Sequence, residues 1–425
     1  MKSITNGLTP KEANTLSRKN FVSLMASVPL AWKSGFQKGS SHKKLTGFPA
    51  KDEFDIKGTY INAAYTHPMS KGSYAEAKRF LDDRMLNGKN PKNYDAYDRS
   101  EALNQFAKLI HASTEEIAWV PSTMFGENMV LHALGIPGSK EKVVTDAYHF
   151  HGSLFMYDQL AKNGLNIAIV KPRNNRIDLN DMDAGIQPGT KLVAVSLVSA
   201  TTGFQHDLKK LCELAHSKGA LVYADIIQAA GAVPIDVKES QVDFCACATY
   251  KWLMGDFGIG FLYAKKELLP QIKRTFFGYR QMKEFVSHIL PFDPPGNTLI
   301  ETTSKDDIGG YFEVGTFANE GINALRYSLN YLNKAGVDDI QKYRRPMIDK
   351  LQQKIPDGKF IALTPSDSLS PIVCFAFKDA MKILKPKLDA ADINISVYDN
   401  MIRISPSFYN DMNDIDKLID VLKSA

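Results

Sequence analysis

Residues 222–228 read VYADIIQ, and residues 248–253 read ATYKWL. Each stretch begins with the short apolar run typical of a buried strand and ends near a charged side chain, Asp225 in the first and Lys251 in the second. The carboxyl ends of neighbouring parallel strands lie at one edge of a sheet, which is where such sheets bind ligands. The two stretches therefore predict a carboxylate and an amine side by side at that edge. Taken singly, each is equally compatible with a surface charge at a strand end.

Short apolar runs alternate with helical patterns on both sides of these stretches. One connecting helix is predicted over 207–218, where Leu208, Leu211 and Leu214 share a face and Gly219 ends the helix. Strands that alternate with helices predict an α/β fold with a mostly parallel central sheet covered on both faces. The runs predicted to be strands are 117–120, 142–145, 167–170, 192–198, 221–224, 244–248 and 260–263.

The pattern changes after about residue 315, where two long helices precede further strands and a last helix. This change indicates a smaller C-terminal α+β domain at 316–425, after a large domain at 51–315 and a leader at 1–50. The proline- and glycine-rich stretch 291–310 is predicted to be a long active-site loop. The elements predicted in the small domain are helices at 319–333, 338–354 and 413–422 and strands near 371–377 and 401–404.

Composition sets limits on function. The chain has 425 residues, of which 44% are hydrophobic, so it can bury a large core, and no apolar run reaches the roughly 18 residues of a membrane-spanning helix. The net charge is +5, but residues 1–50 alone carry eight Lys or Arg and one acidic residue. The basic balance therefore belongs to the leader and gives no support for nucleic-acid binding. Within it, 16–22 (LSRKNFV) resembles a twin-arginine export signal with Lys19 in the second arginine position, and a basic tail on a cytoplasmic enzyme is the alternative.

The four cysteines lie inside apolar segments and show neither a disulfide framework nor zinc-ligand spacing, so core packing is their predicted role and no metal is expected. They are Cys212, Cys245, Cys247 and Cys374.

The pair of charged residues fits one kind of chemistry. An aldehyde cofactor needs an amine with which to form an imine, and a pyridine ring needs an anion at its nitrogen to withdraw electrons from a substrate carbanion. Lys251 and Asp225 supply both, 26 positions apart.

From about Tyr60 to the C-terminus the chain resembles the class V aminotransferase family of pyridoxal 5′-phosphate (PLP) enzymes. This family has fold type I and includes cysteine desulfurases, kynureninases and isopenicillin N epimerase-like proteins. The resemblance implies a Schiff base on Lys251, Asp225 at the pyridine nitrogen and Gln228 near the ring hydroxyl.

The resemblance also assigns the rest of the cofactor site. Ser122 and Thr123, in the segment 121–126 (PSTMFG), are implied to bind the phosphate at a helix start, although a simple helix cap is the alternative. Thr249 and Tyr250 are implied cofactor contacts, Tyr250 replacing the histidine that often precedes the lysine, as in kynureninase-like members.

An aromatic residue or histidine of the family stacks on the cofactor ring. Phe150 falls in that position, with core packing as the alternative, and its neighbours His149 and His151 are candidate acids or bases near the substrate. The family often places asparagine near position 200, where this chain has Ala200, so Gln228 is expected to contact the ring hydroxyl alone.

The remaining implied residues concern the substrate and the partner subunit. Arg403, in the segment 401–406 (MIRISP), is implied to bind the substrate carboxylate, with Asn62 as a helper. Thr316, in the segment 312–316 (FEVGT), is implied to reach the cofactor phosphate of the partner subunit, which predicts a homodimer with shared sites.

The reaction itself is left open. An amino-acid substrate with Lys251 as general base leads to transamination, which is favoured, to racemisation or epimerisation, or to lyase or hydrolase chemistry. Cysteine desulfuration is disfavoured, because the cysteine nearest the substrate arginine, Cys374, lies in a strand-like run. A PLP-binding scaffold without catalysis is the alternative from another class, and the set of Lys251, Asp225 and Arg403 argues against it.

Overall fold

The computed structural model describes residues 47–86, 92–355 and 358–424. The predicted leader lies almost wholly outside them, so its two interpretations stay predictions. In the described ranges no helix combines the length and the apolar character that crossing a bilayer requires.

A seven-stranded sheet forms the centre of the fold, in the order β2-β8-β7-β6-β5-β3-β4. Strand β8 runs antiparallel to both of its neighbours, and all the other neighbours are parallel. The prediction of a mostly parallel sheet is confirmed, and all seven predicted strands are present. They are β2 (Ile117–Val120), β3 (Lys142–Asp146), β4 (Asn166–Val170), β5 (Thr190–Ser196), β6 (Leu221–Asp225), β7 (Phe244–Ala248) and β8 (Gly260–Ala264).

Helices connect these strands and cover the sheet, as the alternating sequence pattern predicts. Helix α6 follows the predicted pattern closely, burying Leu208, Leu211 and Ala215 and starting at the capping side chain of Asp207. The helices up to β8 are α1 (Lys71–Leu86), α2 (Lys92–Leu109), α3 (Thr123–Ala133), α4 (His151–Lys162), α5 (Leu179–Gly185), α6 (Leu208–Ser217) and α7 (Val237–Ser240).

The prediction of an active-site loop at 291–310 is wrong in part. Residues 300–304 form a strand that pairs antiparallel with residues 282–287, and a short helix begins at Ile308. The proline- and glycine-rich composition comes from the turn of this hairpin, and alternation in the strand itself is too weak to reveal it. The elements are β9 (Met282–Ser287), β10 (Ile300–Ser304) and α8 (Ile308–Phe312).

The C-terminal part has its own antiparallel sheet of four strands, in the order β11-β12-β15-β14. The predicted helices and strands of this part are confirmed, while the domain border near residue 315 stays a prediction. The four strands of this sheet are β11 (Ile361–Ala362), β12 (Val373–Ala376), β14 (Ser396–Tyr398) and β15 (Met401–Ile404), and a fifth strand, β13 (Ile393–Asn394), lies outside it. The helices are α9 (Asn319–Ala335), α10 (Val337–Lys354), α11 (Ala380–Ile383), α12 (Lys385–Ala390) and α13 (Met412–Lys423).

Two close approaches join the C-terminal part to the rest of the fold. A two-residue strand β1 (Thr59–Tyr60) pairs parallel with β13. The segment that precedes the large sheet in the chain is thus hydrogen-bonded to the C-terminal part. Gly203 lies in the turn after β5, with φ of 70°, and a Cβ there would be 2.4 Å from the carbonyl oxygen of Ile372. Glycine is therefore required at this contact.

A buried histidine, His67, lies in an aromatic cluster with Phe54, Phe408 and Tyr409. The Nδ1–H of His67 donates to the Pro68 carbonyl at 2.9 Å, and Nε2 accepts from the Ser407 hydroxyl at 2.9 Å. The ring stacks on Phe408 with centroids 5.7 Å apart. Burial lowers the pKa of His67 to about 4.

This histidine predicts a loss of stability in mild acid. The unfolded chain takes up a proton near pH 6.5 and the folded chain only near pH 4. The free energy of unfolding should therefore fall between these values, by about 3 kcal/mol in total. Urea unfolding of the wild type and of His67→Gln checks this: the variant should lose most of that slope, whereas His132→Gln, at an exposed helix position, should keep it. Equal slopes in the wild type and His67→Gln would contradict the prediction.

Candidate active site

The two charged residues of the opening stretches meet at the carboxyl edge of the large sheet. Asp225 is the last residue of β6 and pairs in register with Ser196 on β5, and Lys251 follows the end of β7. Both charged side chains are buried, with 4% and 8% of their surfaces exposed. The predicted juxtaposition is therefore present in a largely desolvated site.

Asp225 is held from two sides. Oδ1 accepts the backbone N–H of Ile227 at 2.9 Å, and Oδ2 lies 3.5 Å from the Ser196 hydroxyl. Burial raises the pKa of Asp225 to about 6, against the opposing effects of the Ile227 N–H and of His149 and Lys251. The carboxylate is thus ionised at neutral pH only with the help of its neighbours.

Lys251 is an amine with a lowered pKa. Burial brings the pKa down to about 8, Asp225 acts to raise it, and Arg403 acts to lower it further. The electrostatic effect of Arg403 shows that the second sheet places its arginine near this amine. Among the described residues, Lys251 Nζ makes no hydrogen bond, and it lies 5.7 Å from the Tyr250 ring centroid.

Gln228 is fixed within the protein. Its Oε1 accepts from the Trp252 indole at 2.9 Å, and its Nε2 donates to the Ala64 carbonyl at 3.0 Å. One Nε2 proton is left over. The implied contact of Gln228 with a ring hydroxyl stays a prediction, limited to that one proton.

The start of α3 presents unused donors. Ser122 caps the helix by accepting from the Phe125 N–H at 3.1 Å, and the Thr123 hydroxyl accepts from the Ala248 N–H at 2.8 Å, which fastens the helix to β7. In both bonds the hydroxyl is the acceptor, so each keeps its own proton. With the unpaired N–H groups of a first helical turn, these protons suit a phosphate dianion. The capping alternative is thus present and does not exclude the phosphate role.

Thr249, unlike Ser122 and Thr123, has no unused hydroxyl proton. Its side chain is fully buried, and its hydroxyl donates to the Asp256 carbonyl at 2.8 Å. No proton remains for a phosphate group, so the prediction that Thr249 binds the cofactor is not supported. The neighbouring Tyr250 is half-buried and stacks on Phe257, with ring centroids 4.6 Å apart.

Phe150 is held beside Ser196 and Gly152. Its backbone N–H donates to the Ser196 hydroxyl at 3.2 Å, and a Cβ on Gly152 would come within 2.7 Å of its ring. Its neighbour His149 is buried, with both ring nitrogens bonded inside the protein, and His151 is exposed. His149 therefore has no nitrogen free for a substrate, contrary to expectation, while the stacking role of Phe150 stays a prediction.

Arg403 reaches the site from β15. Nη1 donates to the Ala200 carbonyl at 2.9 Å and Nη2 to the Ser396 hydroxyl at 3.1 Å, whereas the buried Nε has no partner among the described residues. Ala200, which stands where the family often has asparagine, thus orients Arg403 through its backbone carbonyl.

Asn62, predicted to help bind the substrate, is bonded to Ser396 and Asn394 instead. Its Oδ1 accepts from the Ser396 hydroxyl at 2.7 Å, and its Nδ2 donates to Asn394 at 3.0 Å. Ser396 in turn accepts from Arg403. Direct substrate contact is therefore not supported, and Asn62 stands behind the arginine.

Thr316 lies in the segment between α8 and α9. It is exposed, and its hydroxyl is 3.1 Å from the Tyr279 hydroxyl. An exposed position is compatible with contact to a partner subunit, and the implied phosphate contact stays a prediction.

Residues 91–418 match the family model described as aminotransferase class-V. The chain belongs to this family. Its cofactor is accordingly pyridoxal 5′-phosphate, and its fold is fold type I of the PLP enzymes, as predicted.

Relatives of the class-V chain carry two kinds of name. An uncharacterized aminotransferase, YcbU, of Bacillus subtilis is 27% identical and covers 88% of this chain and 95% of its own length. A cysteine desulfurase of Klebsiella pneumoniae is 30% identical over 60% of this chain and 61% of its own length. Among solved structures, the cysteine desulfurase CsdA of Escherichia coli has a TM-score of 0.74 at 21% identity, covering 88% of this chain and 96% of that chain. This likeness shows the shared fold.

The residues present fit the family's cofactor. The buried Lys251 amine is without a hydrogen bond among the described residues, two hydroxyl protons are unused at the start of α3, and Gly152 leaves room for an aromatic ring. The class-V site therefore offers an amine, an anion, phosphate donors and a stacking surface at one edge of the sheet.

The lowered pKa of Lys251 predicts how fast the protein without cofactor captures PLP. Only the neutral amine attacks an aldehyde, so the capture rate should rise with pH to a plateau, with a midpoint near pH 8. Arg403→Gln removes a cation and should raise the midpoint, and Asp225→Asn removes an anion and should lower it. Stopped-flow absorbance measures the rate. A midpoint near the ordinary lysine value of 10.5 would contradict the described environment.

Proposed function

We propose that this class-V enzyme is an amino-acid aminotransferase in which Lys251 holds PLP, Asp225 bonds the pyridine nitrogen and Arg403 binds the substrate carboxylate. The observation that carries the proposal is the convergence of these three side chains: Asp225 ends β6, Lys251 follows β7, and Arg403 bonds the Ala200 carbonyl after the end of β5. A scaffold without catalysis has no need of a buried amine between a carboxylate and a guanidinium.

The chemistry divides among the chain's own residues. Bound PLP supplies a ring that withdraws electrons from the substrate α-carbon. Asp225 keeps the ring nitrogen protonated, and Lys251, once displaced by the substrate amine, removes the α-proton as general base. A pKa of about 8 suits this task, because a base works best when its pKa lies near the working pH.

Arg403 is preorganised for a carboxylate. Of its five N–H groups, Ala200 and Ser396 occupy one each, which leaves the buried Nε and further Nη protons for a bidentate contact. Asn62 holds Ser396 and so supports the arginine from behind. Ser122, Thr123, Tyr250 and Phe150 complete the proposed cofactor contacts, and Gln228 offers one proton to the ring hydroxyl.

The cysteines disfavour a desulfurase that passes sulfur to its own thiol. All four are buried, with at most 1% of their surfaces exposed. Burial raises the pKa of Cys374 to about 12, even with Arg403 acting to lower it. A thiol that is neither accessible nor ionised is a poor nucleophile. In sequence, the relative named as an aminotransferase matches 88% of this chain, whereas the Klebsiella pneumoniae cysteine desulfurase matches 60%.

The proposed assembly is a homodimer with shared sites. Thr316 is exposed at the end of a segment that follows the hairpin β9–β10. The hairpin exposes large apolar side chains, among them Phe285, Ile289, Leu290 and Phe292. An exposed apolar surface of this kind is typical of an interaction site, and a second copy of the chain is the proposed occupant.

Mixing the purified, PLP-loaded protein with single L-amino acids and no keto acid tests the reaction. A true donor should convert the yellow cofactor into the near-ultraviolet pyridoxamine form, while Lys251→Ala should lose turnover by at least about 100-fold with an unchanged dimer. Lys171→Ala, at an exposed position, serves as the matched control. A yellow band that persists while the amino acid is racemised or cleaved would replace aminotransfer by epimerase or lyase chemistry.

Arg403→Gln should specifically weaken binding of the amino-acid substrate. We expect KM for the amino acid to rise about 100-fold, because a charge-assisted carboxylate contact is lost. A matched amine that lacks the carboxylate should lose far less, since only the effect of Arg403 on the pKa of Lys251 remains, measured as the rate of the same spectral change. An equal loss for the acid and the amine would place Arg403 outside the carboxylate site.

A further inference from the structure

A second buried ion pair lies behind Asp225, and the proposed reaction does not use it. Glu127, on α3, is 1% exposed, and its Oε1 lies 3.1 Å from Nε2 of His149, which is 2% exposed. The Glu127 carboxylate also accepts from the Ser153 hydroxyl at 2.6 Å and the Tyr157 hydroxyl at 2.8 Å. A fully bonded carboxylate of this kind is stable as an anion in the interior.

The hydrogen bonds continue from this pair to Asp225. The Ser196 hydroxyl oxygen lies 2.9 Å from His149 Nδ1, accepts from the Phe150 N–H at 3.2 Å, and points its proton to Asp225 Oδ2 at 3.5 Å. A serine hydroxyl has one proton and two acceptor positions. When Ser196 donates its proton in a hydrogen bond to Asp225, both acceptor positions of the serine oxygen are filled by N–H donors, so His149 Nδ1 carries a proton.

The other ring nitrogen of His149 carries a proton as well, since Nε2 faces the Glu127 carboxylate, which only accepts. A histidine with two donor nitrogens is a cation. Electrostatics agree: burial lowers the pKa of His149, but Glu127, with smaller contributions from Asp225 and Asp146, outweighs burial, and the net direction is upward. For Glu127, burial acts to raise the pKa, but His149 and the hydrogen bonds outweigh it and the net direction is downward.

We propose that Glu127 holds His149 as a cation and that His149, through the Ser196 hydroxyl, keeps Asp225 ionised beneath the cofactor ring. Glu127, His149 and Ser196 are in this view positioning residues. The proposal rests on the proposed role of Asp225 at the pyridine nitrogen. It deepens that role, because it explains how a carboxylate with little solvent contact remains charged.

The charges around Asp225 alternate in sign and come from different elements. Glu127 on α3 is negative, His149 before α4 is positive, Asp225 on β6 is negative, and Lys251 after β7 is positive. The other titratable groups that face Asp225 are neutral: Tyr223, Cys245, Cys247 and Tyr250. Removing Glu127 thus lets His149 lose its proton and leaves Lys251 as the only cation among these facing groups.

Histidine NMR on the protein without cofactor tests the first half of the proposal. With ¹⁵N-labelled histidine, the His149 signals, assigned by their loss in His149→Asn, should show a doubly protonated ring at pH 7. In Glu127→Gln the ring should lose its second proton at a lower pH than in the wild type. Glu116→Gln is the matched control, because Glu116 is also buried and ion-paired, but to Lys238. A neutral His149 in the wild type, or an unchanged titration in Glu127→Gln, overturns the proposal.

The pH dependence of PLP affinity tests the second half. Loss of the His149 cation raises the pKa of Asp225 by more than loss of the Glu127 charge lowers it, because the effect of His149 on Asp225 is the larger one. Glu127→Gln should therefore bind PLP about tenfold more weakly than the wild type at pH 7. The ratio should approach one at pH 9, where Asp225 is ionised in both proteins. Ser196→Ala should show the same profile while His149 stays protonated. A ratio that is constant with pH would mean a merely structural role and would overturn the proposal.

The two proposals fail in different ways. If Lys251→Ala binds PLP and turns over as the wild type does, the proposed function is wrong, whatever the His149 signals show. If PLP chemistry is intact but His149 is neutral, only the proposed role of Glu127, His149 and Ser196 is wrong. Should Glu127→Gln fail to fold, judged by circular dichroism, Glu127→Asp keeps the charge but shortens the side chain, which weakens its contact with His149 and should shift the His149 titration downward by a smaller amount.

Discussion

The structure depends on one electrostatic constraint: a carboxylate and an amine, Asp225 and Lys251, are placed together out of water at the ends of neighbouring strands. Isolated charges are costly to bury, and each shifts its pKa toward the neutral form. Burial does so here for both, raising the pKa of Asp225 to about 6 and lowering that of Lys251 to about 8. Their attraction opposes both shifts. The pair is therefore poised near neutral pH, where a cofactor ring and a general base are needed.

The rest of the fold supplies what this pair lacks. Helix α3 brings hydroxyl protons and amides to the same edge, and its hydroxyls are free to donate because they accept from the Phe125 and Ala248 N–H groups. The second sheet brings Arg403, which Ala200 and Ser396 hold in place. That approach requires the close packing at Gly203, where no side chain fits. The small sheet is thus part of the site, since it carries the proposed substrate-binding group.

The sequence revealed the elements whose signals are local. Seven apolar runs predicted the large sheet, and the strand ends predicted Asp225 and Lys251. The sequence does not show which bonds hold a site residue: a motif gave the place of Thr249 and Asn62, but their bonds to Asp256 and Ser396 follow from the fold. Glu127 was missed, although a lone carboxylate in the apolar helix TMFGENMVLHA is a signal of a buried bond. Its partners His149, Ser153 and Tyr157 lie beyond the next strand and are invisible to local pattern.

The most direct test of the central claim is covalent mapping of the cofactor. The protein is loaded with PLP, reduced with borohydride so that the bond to the amine becomes permanent, digested and examined by mass spectrometry. The account predicts that the added mass lies on the peptide containing Lys251 and that Asp225→Asn lowers its yield. Attachment to another lysine, or no attachment at all, would contradict the account.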